Sequence, residues 1–283
     1  MTGIRTVAAF SALSFRDAIR TKWLIVFTVV YFLVLINVPF LILIADGSLP
    51  ASTLNSYIVY LGSVSYPFLP LLSLPLGALS IVEEKESGTL RYLLCTRMTR
   101  TQFLLGRYIG MLAATSLVVV GGYLLVGLVV LNVGASIFSS LGFEAGLSLV
   151  LNLIMLSLAV VISTVSKRKV TALSIAIFAW FLLVLLSDFG VSFGLIVTLP
   201  NGTFAEVLAA LINPVESAAL ISEMSLNAYG PQVGPTAEIL KNYFGGPSTG
   251  AHLALALMGY SLVAWIVLTF GLMVFLFRSM ELV

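Results

Sequence analysis

Six runs of roughly twenty apolar residues decide what this 283-residue chain can fold into. They are Trp23–Ile44, Tyr57–Val82, Tyr108–Leu131, Ala145–Ser166, Val170–Ser187 and Leu253–Phe277, and none contains an ionisable side chain. Hydrocarbon offers no water to backbone amides, so a run of this kind must satisfy its own hydrogen bonds as a helix. Only 9% of the residues are charged, against about a quarter in soluble domains. The expectation is an all-α membrane protein with six transmembrane helices. Glu144 and Asp188 stand at the edges of their runs.

Charges between the runs orient them. Arg5, Arg16, Arg20 and Lys22 precede the first run, and Lys85, Arg91, Arg97, Arg100 and Arg107 lie between the second and third. Lys167, Arg168 and Lys169 separate the fourth from the fifth, and Arg278 follows the sixth. If the runs alternate, thirteen of the fourteen basic residues share one side and only Lys241 lies opposite. The positive-inside rule then places both termini in the cytoplasm of a multi-pass plasma-membrane protein. The first run is too long for a signal-peptide core, so no cleaved leader is expected. Cys95 is the single cysteine, which excludes an internal disulfide. Topology accounts for the basic residues, so they imply no nucleic acid.

Residues 1–22 are too polar to span. Ile4, Val7, Ala8, Ser11, Phe15, Ala18 and Ile19 share one helical face opposite Arg5, Arg16 and Arg20, as in a helix lying in the headgroup layer. Residues 23–283 form the membrane domain. Its second run carries Pro67, Pro70 and Pro75, which remove backbone donors and bend a helix. Such a helix faces protein or a water-filled path; a path-lining role and a simple fit around neighbours both remain open. Outside, residues 188–252 form the one long loop, with the short amphipathic segments Phe204–Ile212 and Val215–Leu226 expected at the outer mouth or headgroup layer. The sequon Asn201-Gly202-Thr203 lies in this loop.

Residues 83–107 form a charged island with more than twenty uncharged residues on each side. It holds five of the fourteen basic and three of the twelve acidic residues. After Gly88, Leu90, Leu93 and Leu94 lie at helical spacing, with Arg91 and Arg97 off that stripe. Thr99 and Gln102 fit a capping box that starts a new helix. Gly106 and Gly110 form a small-xxx-small pair suited to close packing. Charge mixed with a leucine stripe describes a docking surface better than a solvated loop.

Absences narrow the chemistry. The sequence has no Gly-x-x-x-x-Gly-Lys-Ser/Thr loop for nucleotide phosphates, so the chain is not expected to be an ATPase. His252 stands alone, Cys95 has no partner cysteine, and the methionines do not cluster, so neither a metal site nor a catalytic cofactor is expected. With no titrating group inside the runs, energy for any movement must enter from outside the membrane.

The order Glu84-Lys85-Glu86-Ser87-Gly88-Thr89-Leu90, then Leu93-Leu94, Arg100 and Leu104-Leu105-Gly106-Arg107, resembles the cytoplasmic signature of permease subunits of second-class ABC exporters of the type V fold. Asp188-Phe189 and Asn213-Pro214-Val215-Glu216 make it most similar to the NosY-like permeases. Those carry an Arg soon after Asn-Pro-x-Asp/Glu, where this chain has Ala218 and Ala219. The resemblance implies a homodimer, each copy bound to a cytosolic ATPase subunit that holds ATP and Mg. Residues 83–107 would be the coupling segment, with Glu83, Glu84, Glu86, Gly88, Thr89, Leu90, Arg91, Leu93, Leu94, Arg97 and Arg100 meeting the ATPase. Pro67, Pro70, Pro75, Asp188, Asn213, Pro214 and Glu216 would form the pathway or outer gate. Three functions follow: export of a substrate; transmission of motion to an extracytoplasmic accessory protein, as in NosY-like maturation of the copper enzyme nitrous oxide reductase; or a scaffold or sensor that transports nothing.

Overall fold

The computed structural model describes residues 2–46, 54–90, 99–129, 136–196, 207–208, 210–226, 235–244 and 249–279. Among them the chain forms α1 (Thr2–Arg20), α2 (Lys22–Asp46), α3 (Leu54–Glu86), α4 (Arg100–Val129), α5 (Ser136–Val165), α6 (Lys169–Ile196), α7 (Pro214–Leu226), α8 (Pro235–Tyr243) and α9 (Thr249–Ser279). The described residues include no strand. Helices α2 to α6 and α9 fall on the six apolar runs. Four stretches, Tyr57–Glu86, Arg100–Val129, Phe138–Val165 and Gly250–Ser279, are long and apolar enough to cross a bilayer. The α1–α2 pair, bent by 66° at Thr21, makes a fifth if taken as one span, and Lys169–Val184 is apolar but shorter.

Lipid is as apolar as a protein core, so helices in it associate through close packing and hydrogen bonds. Both devices are present. Helix α3 is central, touching α2, α4, α5, α6 and α7. At its tightest approach to α5, a Cβ on Gly77 would stand 2.5 Å from that of Ala159. Ser73 of α3 donates to Asn152 Oδ1 of α5 at 2.7 Å, and Asn152 Nδ2 donates to Thr115 of α4 at 2.9 Å. The Ser163 hydroxyl accepts the backbone N–H groups of Ile81 and Val82, both at 2.9 Å.

The prolines leave α3 unbroken over 33 residues. Pro70 and Pro75 are buried. Trp180 of α6 donates its indole N–H to the Pro67 carbonyl at 2.9 Å. The described contacts therefore set this segment against protein.

Two expectations change. Glu144, expected at the edge of its run, lies inside α5, which begins at Ser136, and is fully buried. The run starts earlier than its charge-free part, so one carboxyl lies within a spanning helix. Helix α1, expected to rest its apolar face on lipid, rests on α4. Ser14 and Ala18 are buried while Ala8 and Ile19 are exposed. Gly106 and Gly110 permit the close approach of the two helices. A Cβ at Gly106 would meet the Phe10 ring at 2.9 Å, and one at Gly110 would strike the Ser11 carbonyl and stand 2.8 Å from the Phe15 nitrogen.

Candidate functional site

The island begins as the last turn of α3. Gly88 ends that helix with φ +76°, a left-handed conformation that costs glycine little and other residues more. Its N–H donates to the Lys85 carbonyl at 3.3 Å, and the Ser87 and Thr89 hydroxyls both reach the Glu84 carbonyl at 3.3 Å. Leu90 is buried in the main core, which holds the chain where it leaves the turn. Arg91, Leu93, Leu94 and Arg97 lie outside the described residues. The chain returns with both halves of the capping box formed: Gln102 Oε1 accepts the Thr99 N–H at 3.1 Å, and Thr99 Oγ1 accepts the Gln102 N–H at 3.3 Å.

Island side chains reach the ends of four other helices, α1, α5, α6 and α9, and also join α3 to α4. Lys85 donates to the Thr164 and Ser166 carbonyls at 2.7 and 3.1 Å, satisfying acceptors at the C-terminus of α5. Glu86 accepts the Lys169 N–H at 2.9 Å and so caps the N-terminus of α6. Glu83 lies 3.4 Å from the Lys169 ammonium. Arg107 of α4 bridges Glu84 at 3.5 Å and Asp17 of α1 at 3.6 Å. Arg100 donates to the Arg278 carbonyl of α9 at 3.2 Å. These links differ in strength. Glu83 and Lys169 are each nearly half exposed, which water and salt weaken to under about 1 kcal/mol. Glu84 and Arg107 are each 16% exposed, so separating them leaves a poorly hydrated charge.

A second polar group sits inside the bundle. Glu144 accepts a hydrogen bond from Ser222 of α7 at 2.7 Å on Oε1, while its Oε2 has no partner. Space for Oε1 exists only because residue 62 is glycine; a Cβ there would collide with it. Nearby, Tyr31 pairs with Ser65 at 2.6 Å and Tyr123 with Ser148 at 2.8 Å. The Tyr66 hydroxyl is buried without a partner that meets hydrogen-bond geometry. Helices α2, α3, α4, α5 and α7 all contribute to this cluster.

Helix α7 supplies Ser222 to this cluster. Asn213 starts that helix: Oδ1 accepts the Val215 N–H at 3.0 Å, and Nδ2 donates to the Leu183 carbonyl of α6 at 2.6 Å. Pro214 takes the first helical position, where no N–H is needed, and Glu216 falls in the first turn. Helix α7, which covers the segment expected at the outer mouth or in the headgroup layer, packs into the bundle, with Val215, Ala218, Leu220, Ile221 and Met224 buried. In the segment before it, Val207 is buried while Leu208 and Ile212 are exposed. Asp188 lies within α6, and its side chain is outside the described residues. The island and the described residues expected at an outer gate thus occupy separate places, joined through α3, α5 and α6. Sequence reasoning passed over Asp17, Trp23 and Glu144; for Glu144 the available signal was the apolar stretch continuing N-terminally to Ser136.

Residues 11–282 match the family model described as ABC-2 family transporter protein. Two curated relatives, each named "Probable ABC transporter permease protein NosY", are similar along most of their length. The one from Stutzerimonas stutzeri is 29% identical over 272 residues, covering 93% of this chain and 94% of the relative. The one from Pseudomonas aeruginosa is 29% identical over 220 residues, covering 75% and 79% respectively.

Proposed function

Because the chain belongs to the ABC-2 family of transporter proteins and is an ABC permease, we propose that a separate cytosolic ATPase drives it through residues 83–107. The observation that carries this is the convergence of island contacts on the ends of α1, α5, α6 and α9. A push on the island reaches most of the bundle through ion pairs and helix caps. In this reading six spans cross the plasma membrane with both termini in the cytoplasm, and two copies of the chain form the translocating unit. ATP and Mg belong to the partner, and opening between the copies exports a substrate.

The described acids already have partners in the chain. Glu83, Glu84 and Glu86 hold the base of the coupling segment, while Thr89 stays exposed and residues 91–98 supply the remaining docking groups. Apolar anchors from Leu93 and Leu94 would give affinity, with Arg91, Arg97 and Arg100 giving direction.

One observation favours a second reading, in which motion and not a solute crosses the membrane. Outer helix α7 is hydrogen-bonded to α5 through Ser222 and Glu144, and Lys85 of the island holds the other end of α5. An extracytoplasmic accessory protein resting on α7 would receive that motion. In both readings, Gly88→Pro combined with Leu93→Asp leaves membrane insertion intact and removes the ATPase from the purified complex. Proline cannot adopt the positive φ found at Gly88, and the aspartate adds a charge to the docking stripe. Undiminished co-purification by this double variant would end the docking proposal.

A further inference from the structure

A carboxyl at membrane depth is costly to ionise unless a cation or several donors offset its charge. Glu144 lies within the apolar stretch Phe138–Val165 and is fully buried. Its surroundings offset little. Ser222 gives one hydrogen bond, to Oε1, and Oε2 is enclosed without a donor. The phenols of Tyr31 on α2, Tyr66 on α3 and Tyr123 on α4 face it, and none carries a positive charge. On α7, Glu216 and Glu223 bring only negative charge. The basic side chains described on α3, α4, α6 and α9 are Lys85, Arg100, Arg107, Lys169, His252 and Arg278, all near helix ends. None of them forms an ion pair with Glu144.

Enclosure also limits what can complete the site. Oε2 has no surface to offer water or a metal ion, which leaves a proton. A proton there turns the oxygen from an acceptor lacking a donor into a donor. An acceptor stands beside it: the Tyr66 hydroxyl, itself buried and unpartnered. Gly62 makes room for Oε1, and a Cβ on that glycine would stand 3.2 Å from the Tyr66 ring, so carboxyl and phenol share one small enclosure. We infer that Glu144 is a proton-binding site within the bundle, and that α7 stays seated against α5 only while the carboxyl holds that proton. Lifting α7 takes Ser222 away and opens the carboxyl to water, which accepts the proton and hydrates the carboxylate left behind. The seated joint therefore binds one proton more than the lifted one. Acid holds α7 down, and rising pH releases it.

The test is infrared spectroscopy of the full-length chain in detergent at neutral pH, with Glu144→Gln as the comparison. Wild type should show the C=O stretch of a protonated carboxyl that the variant lacks. Hydrogen exchange of the amides in α7, Pro214–Leu226, then reads the seating. Between about pH 6 and 9, the wild-type exchange rate divided by that of the variant should climb by up to about tenfold per pH unit, the slope of one released proton. Glutamine copies the shape of the neutral acid and keeps an acceptor for Ser222, so the variant should fold and melt no lower than wild type. Absence of the difference band, or a ratio of exchange rates that stays flat with pH, would overturn the inference. So would a Glu144→Gln chain that fails to fold, because the site would then require the charge that the inference denies it.

Discussion

The island and the Glu144 cluster are both polar, yet they satisfy their charges in opposite ways. At the island, acids and bases pair with one another and with helix termini, and several partners remain half exposed. Around Glu144 no Lys, Arg or His forms an ion pair with the carboxyl among the described residues; a serine hydroxyl bonds it and phenols crowd it. Weak, water-exposed pairs can exchange partners at low cost, which suits a surface that must respond to another protein. A sealed hydroxyl–carboxyl contact gains nothing from exchange and suits a fixed joint between α5 and α7. The two regions read as a movable contact and a rigid one within the same bundle.

That contrast can be broken from either side. The larger effect should come from Gly62→Val. Its side chain would occupy the place of Glu144 Oε1, and overpacking of this kind costs about 2–3 kcal/mol. Thermal unfolding in detergent measures it, and Glu144→Ala in the same chain should recover a good part of the loss. Additive losses would show that the two residues do not share one space. A smaller loss, about 2 kcal/mol, is expected from Arg107→Gln, which strands Glu84 at 16% exposure. High salt should reduce the gap between this variant and wild type only slightly, because the pair is partly buried. A gap that vanished in salt would make this pair as exchangeable as its exposed neighbours.

How much of this could be read from sequence depends on how far apart the partners lie. The capping box at Thr99 and Gln102 was legible because both halves lie within one helical turn. The Gly106–Gly110 pair was legible for the same reason, although only the structure shows that α1 fills the groove above that pair. The long helices followed from hydrophobic run length. Glu144 was not legible as a buried residue. Its surroundings come from Gly62, Tyr66 and Ser222, which no local spacing connects to it. Likewise the leucine stripe suggested that Leu90 faces a partner, whereas long-range packing draws it into the core. Asp17 looked like an ordinary polar position on α1 until α4 brought Arg107 beside it.

The central claim is that the island is where a soluble engine makes contact. Thr89 is exposed beside the Gly88 turn and tests this most directly. A photo-cross-linking residue placed there, activated in intact membranes, should capture a P-loop ATPase subunit as its main protein product. Capture of lipid alone, while the ATPase cross-links from a probe at Lys167 between α5 and α6, would contradict the account.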